Sequence, residues 1–226
     1  MPESADRYPD ITRPDAALAL ISTRYVGDSE SQRHALDTSV AAWSAHRWPT
    51  GLLSVSLYAD VVGESVLTYA QWNDEAACDA FTRARGPAVF GGLDAAIDHD
   101  RCEPVKFRRY RSTEPGDDAS SPPDCIAVPS FDVDGPERQR RIVDTLLDGP
   151  LGKQLPGLIA AHFHLSTDGT RVINYAEWTA EELHIRALTG PVLQEAGAIT
   201  QVMPGVRGIG CPRYRLHRTL LAPQVP

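Results

Sequence analysis

Alternating apolar and polar positions, interrupted by stretches with a period of three to four, cut the chain twice into the same order of elements. Leu18 to Val26 alternates and predicts a strand that Gly27-Asp28 ends. Ser29 with Gln32 then predicts a capped helix with Leu36, Val40 and Trp43 on one face, stopped by Pro49. Two strands fall within residues 51–72, and a helix from Asp74 to Arg85 carries Ala77, Ala80 and Phe81 on its apolar face. Gly86-Pro87 breaks that helix, a shorter helical piece covers Ala88 to Ile97, and Val105 to Arg111 is a strand. The second half predicts a strand over Ile126 to Val133, a helix over Pro136 to Leu147 and strands from Leu158 and from Val172. A helix over Ala180 to Leu188 and a strand around Arg213 to His217 complete it. Each half reads β-α-β-β-α-β.

The two halves are copies. Gly51 to Trp72 and Gly157 to Trp178 are both 22 residues long at a constant offset of 106, with no gap. Gly51-Leu52, Gly63, Val66, Tyr69-Ala70 and Trp72 recur as Gly157-Leu158, Gly169, Val172, Tyr175-Ala176 and Trp178, seven identities that exceed chance. A helix cap follows each, Asn73 and Thr179. Gly86-Pro87 matches Gly190-Pro191, and Arg109-Tyr110-Arg111 matches Arg213-Tyr214-Arg215, at an offset of 104 that a two-residue deletion explains. The organisation expected is a flexible arm over 1–15, a first domain over 16–112, a linker over 113–124, a second domain over 125–219 and a tail over 220–226.

A β-α-β-β-α-β unit is the ferredoxin-like split βαβ, with both helices on one face of an antiparallel sheet. The fold class expected is therefore α+β, two tandem ferredoxin-like repeats forming an intramolecular dimeric α/β barrel with a ligand cavity between the bare sheet faces. Strand parity then divides the side chains. Leu53, Val55 and Leu57, with Ile159, Ala161, Phe163 and Leu165, are assigned to the helices, and so are Leu67, Tyr69, Ile173 and Tyr175. Ser54, Ser56, Tyr58, His162 and His164 are assigned to the cavity, together with the Thr68/Trp72 and Asn174/Trp178 rows. That much buried polarity calls for a ligand to satisfy it.

Composition narrows the partners. A net charge of −8 argues against nucleic acid or an anionic membrane. No apolar run approaches the length of a membrane span, and the acidic, proline-bearing start is unlike a leader, so the chain reads as cytoplasmic. Cys78, Cys102, Cys125 and Cys211 form no C-x-x-C pair and read as buried thiols.

At the strand Asn174-Tyr175-Ala176-Glu177-Trp178 and in its order of elements, the sequence resembles the antibiotic biosynthesis monooxygenase family of the dimeric α+β barrel superfamily, once per half. Members that oxidise aromatic polyketides take O₂ without metal, flavin or haem, with an asparagine and a tryptophan at this spacing in the active site. The resemblance thus implies an enzyme that oxidises an anthrone or phenol with O₂, no cofactor, and Asn174 and Trp178 as catalytic positions. Thr68 stands where the first half would carry the asparagine. Haem-degrading relatives carry a histidine ten residues after the tryptophan, where this chain has Thr82 and Leu188.

On this reading Asn174 and Trp178 donate to a developing oxyanion and His162 or His164 removes the proton. Trp72, Thr68, Ser56, Tyr58, His184, Arg213 and Arg109 are expected to contact substrate. The bland readings stand beside these: plugging tryptophans, a helix-surface His184, solvated arginines on terminal strands, and His162-x-His164 as a metal pair lacking a third ligand. Rival functions are a polyketide cyclase or isomerase of the same fold and a non-catalytic binding or scaffold protein. The partners expected are a small aromatic substrate and O₂, in a monomeric pseudo-dimer or a homodimer.

Overall fold

The computed structural model describes residues 2–91, 104–113 and 121–223. Its strands are β1 (Glu3–Ala5), β2 (Leu18–Tyr25), β3 (Leu52–Asp60), β4 (Ser65–Trp72), β5 (Val105–Ser112), β6 (Cys125–Ala127), β7 (Ser130–Val133), β8 (Leu158–Ser166), β9 (Arg171–Trp178), β10 (Val206–Gly210) and β11 (Arg213–Leu221). The helices are α1 (Ser29–Ala45), α2 (Glu75–Gly91), α3 (Pro136–Leu147), α4 (Glu181–Leu188) and α5 (Pro191–Val202). The chain is α+β and divides into two compact units, residues 1–106 with 215–226 and residues 107–214.

In the first unit the strands run β1, the 215–221 portion of β11, β3, β4, β2, all antiparallel where their register is defined. The helices cover one face. Leu36, Trp43, Val55, Leu57, Val66, Ala70, Trp72, Cys78 and Phe81 form a single core between sheet and helices. The cap of α1 is Asp28, whose carboxylate accepts from Ser31 N at 2.8 Å, one residue ahead of the Ser29 that the sequence points to. Gln32 makes no capping box. Its amide donates to Asp60 O at 3.1 Å and Ser65 O at 2.7 Å, closing the β3–β4 turn over the helix. Within the stretch expected to be a flexible arm, β1 pairs with β11, and Tyr8 OH accepts from Leu216 N at 3.3 Å, which ties residues 3–8 to the sheet. Gly86-Pro87 does not end α2, which continues to Gly91; the remainder of the helical piece expected to Ile97 lies outside the described residues.

The second unit orders its strands as β5 from residue 107, β8, β9, β7, β10. The strand expected over residues 126–133 is broken at Val128-Pro129 into β6 and β7, both antiparallel to β9. Proline cannot donate to a ladder, so the pairing lapses there, and Pro129 O instead accepts from Asn174 N at 2.9 Å. Strand β10, paired with β7, is an element the sequence pattern did not reveal; its Val-Arg-Gly-Ile-Gly run lacks alternation and is largely exposed. Gln139 repeats the role of Gln32, donating to Ser166 O at 3.0 Å and Arg171 O at 2.8 Å.

The recurring glycines have a steric cause. Gly51 and Gly157 both have positive φ, 83° and 81°. A Cβ on Gly51 would meet Ala77 Cβ at 2.7 Å, and one on Gly157 would meet Leu183 Cδ1 at 2.4 Å, so each glycine sets how closely its helix approaches the sheet.

Candidate functional site

Register decides which side chains share a face. In the β8–β9 ladder Phe163 stands opposite Asn174 and Ala161 opposite Ala176, whereas His162 stands opposite Tyr175 and His164 opposite Ile173. Directly opposed residues point the same way. The Asn174/Ala176/Trp178 row therefore lies with Ala161 and Phe163 beneath the helices, contrary to the expected bare face, and Tyr175 and Ile173 share the other face with the histidines. The first unit repeats the correction. Val55 and Leu57 oppose Ala70 and Thr68, placing Thr68 and Trp72 on the helix side, while Ser56 and Tyr58 oppose Tyr69 and Leu67. The misassignment arises because apolar rows occupy both faces of β4 and β9, so polarity alone did not fix their parity.

His162 and His164 are consequently separated from Asn174 by the sheet. His162 Nδ1 pairs with Ser112 Oγ at 2.8 Å and its Nε2 lies 3.6 Å from Glu177. His164 is fully buried with Nδ1 2.8 Å from His162 O, and burial above all, then the charges of His162 and Arg109, pushes its pKa down to about 3. A neutral, enclosed ring of this kind is a poor proton acceptor. Arg109, exposed, opposes His164 in the β5–β8 ladder and is not part of the helix-side wall. Ser56 Oγ pairs with Thr219 Oγ1 at 2.9 Å, and Tyr58 is buried 6.1 Å from the ring of Tyr8. No group of three His, Cys, Asp or Glu side chains suited to a metal occurs among the described residues.

Between the second unit's sheet and its helices lies a cavity of about 180 Å³. Its wall is apolar apart from a few groups. Asn174 and Trp178 on β9, His184 on α4, Thr113, Thr200 and Cys211 are the polar or polarisable ones, set among Phe131, Leu146, Phe163, Leu188 and Ala196. Asn174 Oδ1, Trp178 Nε1 and His184 Nδ1 are all buried without a hydrogen-bond partner. The His184 ring stands edge-on to Trp178 at 5.0 Å, and its Nε2 is 3.8 Å from Cys211 Sγ. Burial, then the Arg213 charge, holds His184 down to about pKa 4, so the imidazole is neutral at physiological pH. Burial likewise lifts the Cys211 thiol to about 11 and keeps it protonated. Arg213 itself is bound to Glu181 at 3.0 Å and acts on the site through its charge.

The first unit shows what the same frame looks like when filled. Trp72 packs at 5.3 Å on Phe81, which stacks at 5.7 Å on Trp43, and Trp43 lies 6.2 Å from Trp48. At the offset of 106, Thr68 corresponds to Asn174 and Cys78 to His184. Gaining an amide and an imidazole makes the second unit's wall polar at selected points. Trp72 Nε1 is also buried without a partner, so the indole alone does not mark a site; Asn174 and His184 do. The place of Cys211 beside His184 escapes the sequence pattern, which reads it only as a buried thiol.

No family model matches the chain. Over 64 residues, 27% of its length, it is 39% identical to the tetracenomycin-F1 monooxygenase of Streptomyces glaucescens. It spans 57% of the length of that curated relative. Among solved structures it is similar to an anthrone oxidase-like protein, with a TM-score of 0.65 over 92% of this chain and 94% of the other at 16% identity. The fold is that of the antibiotic biosynthesis monooxygenases. A candidate monooxygenase of Fusobacterium nucleatum aligns with a TM-score of 0.53 over 93% and 94% of the two chains at 10% identity. At such identities the structural likeness speaks to fold alone.

Proposed function

We propose that the chain is a monooxygenase that oxidises an anthrone or phenol of aromatic polyketide type with O₂, at the cavity of the second unit, without a cofactor. One observation carries this reading: in a largely apolar wall, Asn174 and His184 each keep a buried polar atom unsatisfied beside the unpartnered indole of Trp178. Such atoms cost free energy in the absence of a ligand, on the order of 1–3 kcal/mol each. A ligand that is flat, apolar and bears one oxygen meets that demand. The names of the relatives, tetracenomycin-F1 monooxygenase and anthrone oxidase-like protein, describe ligands of this class.

The chemistry follows from making the ligand's oxygen an anion. With the imidazole neutral and its pKa near 4, His184 is far too weak a base for a phenol, whose ordinary pKa is about 10. It serves better as a neutral donor. In the tautomer that serves this role the Cys211 thiol, 3.8 Å away, is the donor to Nε2 and the ring hydrogen sits on Nδ1, directed to the ligand. Trp178 contributes Nε1–H, and a half-turn of the Asn174 amide contributes Nδ2–H. These donors stabilise the enolate after its proton leaves to solvent at the cavity mouth. The enolate carbon passes one electron to O₂, the radical pair joins through a C–O bond, the peroxide anion takes back a proton from solvent, and the hydroperoxide loses water across its O–O and C–H bonds. Overall a ring CH₂ and O₂ become a carbonyl and H₂O.

An oxygen electrode tests it. Anthrone should consume one O₂ per quinone formed, and Asn174→Ala should slow this about a hundredfold. Proton exchange at the anthrone carbon without O₂ uptake would replace the oxygenase by an isomerase or cyclase.

A further inference from the structure

A second cavity of about 190 Å³ adjoins the first, and Thr113, Leu151, Leu155 and Leu158 stand in the walls of both. Its character is different. Beyond the shared residues, Arg111, Ser112, Lys153 and Gln154 join Leu147, Gly152 and Ile159 in its wall, two cations and no acid among them. Arg111 is held by Asp144 at 2.7 Å and Asp148 at 2.8 Å, so its charge is already matched. Lys153 is 3.9 Å from Glu195 with both side chains exposed, a loose pair that leaves the ammonium able to turn to another anion.

Size makes the two chambers one problem. Ligand sites for drug-sized molecules run to roughly 300–1,000 Å³, whereas a cavity of about 150 Å³ holds a benzene ring. The inner chamber alone therefore takes one or two fused rings. A ligand of three rings needs both.

We infer that the outer chamber is a subsite for an anionic substituent, a carboxylate, on a substrate whose reacting ring occupies the chamber of Asn174 and Trp178, with Lys153 as the cation that receives it. This rests on the location of the ring pocket in the proposed function and not on its oxygen chemistry. The ligand lies along the loop of residues 148–157, rings inward and charge outward, and Leu151 and Leu155 flank its middle.

Calorimetric titration of the full chain with 1-naphthol and with a hydroxynaphthalene carboxylate of the same two rings tests the subsite. In the wild type the carboxylate should bind more tightly, and its affinity alone should fall with added salt. Lys153→Glu should weaken the carboxylate probe about fivefold or more while 1-naphthol stays within about twofold. Gln154→Trp, which fills only the outer chamber, should show the same split. Equal losses for both probes, no loss for the carboxylate, or a wild type that binds neither would overturn the inference. Binding that behaves as stated in a protein that consumes no O₂ would leave the subsite standing and remove the oxygenase.

Discussion

Phe163 faces Asn174 directly across the β8–β9 ladder, which turns the asparagine toward the helices and its histidine neighbours on β8 the other way. Everything proposed for the site depends on that register. A single-residue slip would exchange the faces and leave Asn174 with His162.

Asn174 separates function from stability. Its Oδ1 has no partner, so Asn174→Ala removes an unsatisfied buried atom and opens little space. The melting temperature should stay within a few degrees of wild type while turnover falls about a hundredfold. A fall in melting temperature as large as that of a core truncation would make Asn174 structural.

His184 and His164 shape the pH dependence of stability. Their folded pKa values, about 4 and about 3, lie below the ordinary histidine value, so the unfolded chain binds the protons first as pH falls. The stability they contribute is complete above about pH 6.5 and is lost progressively below it, down through the folded values. Denaturant midpoints measured between pH 7.5 and 4.5 should therefore decline, and His184→Gln should flatten part of the slope. With His184 neutral throughout, turnover should show no inflection near pH 6.5.

Cys211 is expected to act through His184. Cys211→Ser keeps a donor toward Nε2 and should retain most of the activity; Cys211→Val removes it and should lower kcat by roughly tenfold with KM little changed. Equal effects of serine and valine would show that only volume matters there.

The first unit should be a silent copy. Trp72→Phe should leave turnover unchanged, since Phe81 and Trp43 occupy the space above that indole. Phe81→Ala should instead cost about 3–5 kcal/mol, read from chemical denaturation.

Much of this was legible in the sequence. The glycines at 51 and 157 betrayed the repeat because each is the one residue its helix can approach so closely, and α3 begins and ends at the residues its periodicity predicted. The Asn174-to-Trp178 spacing points to a strand that lines the second unit's cavity. What failed was the face. Polarity alone groups the polar residues of β8 and β3 with Asn174 as side chains in need of a ligand, yet His162 is satisfied by Ser112, and Ser56 by Thr219. Those partners come from distant segments, which no local pattern reports. The break at Pro129 and the edge strand β10 were lost for a similar reason, being defined by pairing and not by periodicity.

The most direct test is oxygen-electrode measurement of anthrone oxidation by wild type, Asn174→Ala and His162→Gln. The account predicts a large loss for Asn174→Ala and near-normal rates for His162→Gln. Full activity in Asn174→Ala with loss in His162→Gln would put the chemistry on the opposite side of the sheet.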